Sequence, residues 1–144
     1  MRWLIALSLI VFPAQALDLS GLEKPGVTWH ASKAKTADVT CDGKPDTVAF
    51  GTGKDAISVA VLPGKGGKPQ IMKFGIGAAR QDNFCAVPTH IELEPISCSD
   101  PEIGKFPGCK PVKGCQQFSV VDDQCDSFHF YWDSKKKMVH WWRR

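Results

Sequence analysis

Apolar and polar residues alternate along several short stretches of this chain, and the alternation has the period of two that a half-buried β-strand requires. Ile57, Val59 and Val61 alternate with Ser58 and Ala60, and β-branched or aromatic residues fill 47–50 and 71–76. Gly/Lys/Pro-rich turns at 51–55 and 63–69 separate these three runs, so residues 47–76 read as an antiparallel meander. Residues 89–96 place His90, Glu92 and Glu94 opposite Ile91 and Leu93, a strand with an acidic outer face. Runs at 116–121, 128–132 and 138–142 follow, the last two closing a hairpin across a lysine turn at 133–137. That hairpin carries Phe128, Phe130, Trp132, Trp141 and Trp142, of which half must face the core. Residues 17–35 read as a loop or short edge strand, with Trp29 packed on the core.

The pattern predicts an all-β protein: a small antiparallel sheet stapled by disulfides, as a sandwich or open barrel. At 144 residues the chain is long enough for one core, and residues 17–144 are expected to form a single β-rich domain. Residues 1–16 read differently. A basic start at Arg2, an apolar run from Trp3 to Phe12 and the small-x-small Ala14-Gln15-Ala16 make a secretory signal peptide. The expected location is periplasmic or secreted, with no transmembrane segment in the mature chain.

The cysteines agree with export. Cys41, Cys85, Cys98, Cys109, Cys115 and Cys125 are even in number and fit three disulfides, although six cysteines allow fifteen pairings. A Cys109 to Cys115 bridge is one arrangement the spacing permits. Zinc lacks CxxC or HxxxH spacing here. A formal net charge of +3 gives no argument for nucleic acid.

Candidate chemistry begins at Asp38-Val39-Thr40-Cys41-Asp42-Gly43-Lys44-Pro45-Asp46, where three carboxylates surround one glycine just ahead of a strand. Calcium takes six to eight oxygens, and acids on alternate residues of a tight turn supply them. The expected ligands are Asp38, Thr40, Asp42, the Lys44 carbonyl and Asp46; the competing reading is an acid-rich turn that binds no ion. The stretch resembles the calcium loop of FG-GAP or VCBS-type repeats, which implies a propeller-blade-like loop and meander. Thr40 and Cys41 depart from that pattern, and Ala49 stands where an EF-hand has its glutamate. Affinity in the range of extracellular modules, on the order of 10⁻⁴ to 10⁻³ M, is expected.

Enzymatic chemistry finds little support, because His30, His90, His129 and His140 lack metal spacing and no Gly-x-Ser-x-Gly elbow is present. Cys109-Lys110-Pro111-Val112-Lys113-Gly114-Cys115 is similar to the Cys-Lys-Pro loop of periplasmic lysozyme inhibitors, one residue longer and without that family's histidine. The resemblance implies that Lys110, Pro111 and Lys113 contact a lysozyme-like enzyme. The C-terminal part, from Cys125 to Arg144, also resembles small exported bacterial proteins of unassigned function. The function expected is an exported, calcium-binding, non-enzymatic binding protein that inhibits a cell-wall-lysing enzyme. The alternative is a module for glycans or envelope surfaces that uses Trp141 and Trp142.

Overall fold

The computed structural model describes residues 17–144, so the signal-peptide reading lies outside the described residues. Six strands form the first sheet: β1 (Thr28–Trp29), β2 (Lys35–Ala37), β3 (Asp46–Thr52), β4 (Ala56–Leu62), β5 (Gln70–Ile76) and β6 (Asn83–Phe84). Strands β3, β4 and β5 are the predicted meander, antiparallel and in register from Thr47↔Leu62 to Ala56↔Gly75. Both β1 and β2 lie on the free edge of β3, and β6 adds a short parallel pairing to β5. The second sheet runs β12 (Met138–Trp142), β11 (Phe128–Asp133), β10 (Gln116–Val121), β7 (His90–Pro95), all antiparallel. A two-stranded ribbon, β8 (Ser99–Asp100) with β9 (Gly104–Lys105), completes the set. No described helix is long and apolar enough to cross a membrane.

The two sheets face each other across one core, a sandwich in which alternate residues of each strand point inward. Val48, Phe50, Ile57, Val59 and Val61 of the first sheet meet Ile91, Phe118, Val120, Phe128 and Phe130 of the second. Phe118 and Phe130 are cross-strand partners whose rings stack with centroids 4.6 Å apart. Burying side chains of this size contributes roughly 1.5–3 kcal/mol each, which makes this layer the main source of stability. The Gln70 amide clamps the sheets at their edge: it donates to the Val139 carbonyl and accepts from the Val139 N–H, both at 2.7 Å.

Neither sheet leaves its outer face wholly open. Ala49 and Ala60 keep the outer face of the first sheet low, and Leu22 and Trp29 pack over them. Gly51 makes this possible, since a Cβ there would overlap the Trp29 ring. Over the second sheet runs the segment closed by the Cys98–Cys109 disulfide, with Phe106 stacked on Tyr131 at 5.2 Å and against Trp142 at 5.0 Å. Gly108 takes a positive φ of 73° where a side chain would collide with the Asp133 carboxylate, and its carbonyl accepts from the Ser134 N–H and hydroxyl.

Candidate functional site: a lysine-lined cleft beside the acidic loop

The acidic loop connects β2 to β3, and its carboxylates are turned largely onto its own backbone. Asp46, fully buried, accepts N–H groups from Val39 (2.9 Å) and Thr40 (2.8 Å) on one oxygen and from Gly64 (2.9 Å) on the other. Asp38 accepts from Asp42 and Gly43, and Asp42 Oδ1 accepts from the Lys44 N–H. Left-handed backbone at Cys41 (φ 57°) and Gly43 (φ 82°) produces the curl that aims these amides inward. Asp42 Oδ2 faces the Lys65 ammonium at 3.1 Å. The Asp42 carboxyl is held below its ordinary value, first by the Lys44 amide and then by Lys65.

This arrangement does not fit the expected calcium cage. Among the described residues no three Asp, Glu, His or Cys side chains converge to hold an ion. Asp46 is turned inward, where its carboxylate ties the loop to the β4–β5 turn through the Val39, Thr40 and Gly64 amides. The Thr40 hydroxyl is buried with no hydrogen-bond partner.

The disulfides revise the reading of the second loop. Cys109 pairs with Cys98 and Cys115 with Cys41, while Cys85 pairs with Cys125, so Cys109 and Cys115 do not close a ring together. Lys110, Pro111 and Lys113 instead form an exposed span between two separate anchors. Because Cys41 belongs to the acidic loop, the Cys41–Cys115 bridge brings together two candidate sites 74 residues apart. The Gln116 N–H reinforces the junction by donating to the Asp38 carbonyl at 2.8 Å.

Between the two loops lies a cleft of about 230 Å³, lined by Thr40, Asp42, Lys65, Lys110, Trp132 and Lys137, among others. The cleft thus brings three lysines, one aspartate and one tryptophan to a single concavity. Lys65, Trp132 and Lys137 are not among the candidate binding residues read from the sequence, where Trp132 figures only as a hairpin aromatic and Lys137 only as part of a turn. Hairpin register was the available signal for Lys65, since Thr47 opposite Leu62 places the 63–69 turn beside the exit of the acidic loop.

The C-terminal aromatics separate. Trp141 is 40% exposed and lies edge-on to Phe74 and Phe128. Trp142 stacks on His129 at 4.3 Å and lies against Phe106, with its indole N–H buried and unpartnered, so only one of the two expected rings is presented. Arg143 lies 4.8 Å over the Phe128 ring and donates to the Asn83 carbonyl, and Arg144 pairs with Asp100 at 2.8 Å.

Ser119, His129 and Glu94 share the outer face of the second sheet, a set that invites comparison with a nucleophile, base and orienter. His129 Nδ1 sits 3.1 Å from Glu94. Burial alone would raise the Glu94 carboxyl, but His129 and the nearby Ser119 hydroxyl outweigh it and hold the carboxyl low. Ser119 is 1% exposed and its hydroxyl makes no well-formed hydrogen bond. At 1% exposure the Ser119 hydroxyl is not open to solvent, so the three side chains do not form an accessible nucleophile, base and orienter. His140, the neighbour of Asp133 at 3.6 Å, stacks on Tyr131 and stands apart from His129 on the register.

No protein-family model, curated protein or solved structure matches this chain.

Proposed function

We propose that this chain is an exported, non-enzymatic binding protein whose recognition surface is the Lys110–Lys113 span together with the cleft beside it. The observation that carries the reading is the Cys41–Cys115 disulfide, which holds Lys110 next to Lys65 and Lys137 around Trp132. A surface prepared in this way loses little entropy on binding. Three disulfides fit an oxidising compartment.

The partner class that suits this surface is a protein with a carboxylate-lined cleft, a cell-wall-lysing enzyme being the expected case. Acidic clefts attract a cationic tip, and the Coulomb gain grows as water is excluded. Calcium enters only as a competitor of Lys65 for Asp42. The test is capture of envelope and extracellular proteins by the mature chain, followed by a wall-lysis assay on each lysozyme-like protein retained. Lys110→Glu with Lys137→Glu should abolish capture and inhibition; unchanged capture refutes the reading. Loss on Trp141→Ala instead favours the glycan alternative, for which the shallow hollow of about 280 Å³ beside Gln81, Asp82, Trp141 and Arg143 offers one aromatic platform.

A further inference from the structure

A second cationic cavity, of about 510 Å³, lies at the opposite end of β4 from Lys65. Its lining includes Lys24, Gly26, Gly53, Lys54, Ser58 and Lys73. Three separate parts of the chain supply the lysines: the turn before β1, the β3–β4 turn and the outer face of β5. Their positions are constrained. The Gly53 N–H donates to the Ala56 carbonyl at 2.8 Å, and a Cβ on Gly53 would lie 3.2 Å from the Gly26 carbonyl oxygen, so the two turns pack backbone to backbone. Lys73 is the register partner of Ser58, which is 4% exposed and lines the same cavity.

Among the described residues none of Lys24, Lys54 and Lys73 forms an ion pair, and Asp55 is the one acid in the lining. Like charges that line one concavity repel unless a counter-charge enters it, and concave walls strengthen the field they share. The Gly51-Thr52-Gly53-Lys54 turn lacks the remaining parts of a nucleotide loop, which leaves charge and shape rather than a nucleotide motif as the recognition chemistry.

We propose that this cavity binds a polyvalent oxyanion of the phosphate or sulfate class, with Lys24, Lys54 and Lys73 as its counter-charges and the Ser58 hydroxyl as a donor at its floor. Ammonium groups are point charges without a fork geometry, so they select charge density over the planar shape of a single carboxylate. The site is independent of the Lys110 surface and stands or falls without it.

Amide chemical-shift titration of the mature chain with inorganic pyrophosphate tests the assignment, with glucuronate as the single-carboxylate control and a sulfated oligosaccharide as the polymer-borne arm. Saturable shifts at Gly26, Gly53 and Gly75 are expected with pyrophosphate and not with glucuronate. Affinity should fall about tenfold or more in Lys54→Gln with Lys73→Gln and stay unchanged in Lys110→Glu. Response to pyrophosphate alone assigns a free anion, and response to the oligosaccharide as well assigns a glycan-borne one. Equal response to glucuronate, shifts that survive the double variant, or no shift at millimolar pyrophosphate overturns the site.

Discussion

Lys65 Nζ lies 3.1 Å from Asp42 Oδ2, so the acidic loop holds a cation that belongs to its own chain. The lysine side chain is 57% exposed, which keeps the pair weak and exchangeable. A divalent ion entering the loop must displace it. We expect the melting temperature to differ little between chelator and about 10 mM calcium in the native sequence. In Lys65→Gln the melting-temperature difference should widen, corresponding to about 1.4 kcal/mol of added unfolding free energy for a dissociation constant of about 1 mM. A larger calcium effect in the native protein than in the variant contradicts this ordering.

Asp46 is the structural acid of the loop. Its carboxylate takes three backbone N–H groups while fully buried, and hydrogen bonds to charged groups contribute a net of about 1.5–3 kcal/mol each, not additively within one cluster. Asp46→Ala should lower unfolding free energy by roughly 3–5 kcal/mol in urea titration, far more than Asp42→Ala, which loosens only the exposed curl. Equal effects would mean that the loop is held elsewhere.

Acid should destabilise the protein through its bonded carboxylates. Burial acts to raise Asp122, but amides of Cys125, Gln124, Cys85 and Ala86 outweigh it and leave the folded value lowered from 3.8. A depressed folded value means that the stabilisation is complete above the unfolded value and is lost as pH falls through the folded one. Stability should therefore drop below about pH 4, and Asp122→Asn should flatten that drop while lowering stability at neutral pH. Denaturant midpoints at several pH values decide it.

The disulfides should contribute unequally. By loop closure alone, Cys41–Cys115 with a separation of 74 contributes about 4.5 kcal/mol and Cys98–Cys109 with a separation of 11 about 2.8 kcal/mol. Removing Cys98–Cys109 as a Ser pair should nevertheless give the larger change in tryptophan fluorescence, because it frees Phe106 from Trp142. Unchanged emission would show that Phe106 is held by the sheet alone.

Strand-level structure was legible because its cause is local. Residues 56–62 alternate visibly, and β4 runs Ala56–Leu62; the run at 47–50 is longer, Asp46–Thr52, because Gly51 lies in the strand to admit Trp29. The cysteine pairing was not legible, since nothing local distinguishes Cys98 from Cys115 as the partner of Cys109. The same holds for the cleft: Lys65, Lys110 and Lys137 meet through a bridge between distant segments and a turn set by register. The acidic loop shows a third case. The sequence reads it as a calcium loop with an ion-free turn as the competitor; carboxylates serve amides as readily as ions, and the bonding of Asp38, Asp42 and Asp46 to backbone amides is set by side-chain orientations that residue types do not reveal.

The long span of Cys41–Cys115 also imposes an order of events. Cys98 and Cys109 meet by closing a short loop, whereas Cys41, ahead of β3, and Cys115, ahead of β10, are 74 residues apart and cost more chain entropy to bring together. Oxidation of that pair ties the entry of the first sheet's meander to the entry of β10 in the second sheet. On the proposed reading, the Lys110 surface depends on that bridge, so a newly made chain kept reduced has no finished surface with which to engage a partner. Binding competence would then begin with arrival in an oxidising compartment, and the timing would be written into the spacing of two cysteines.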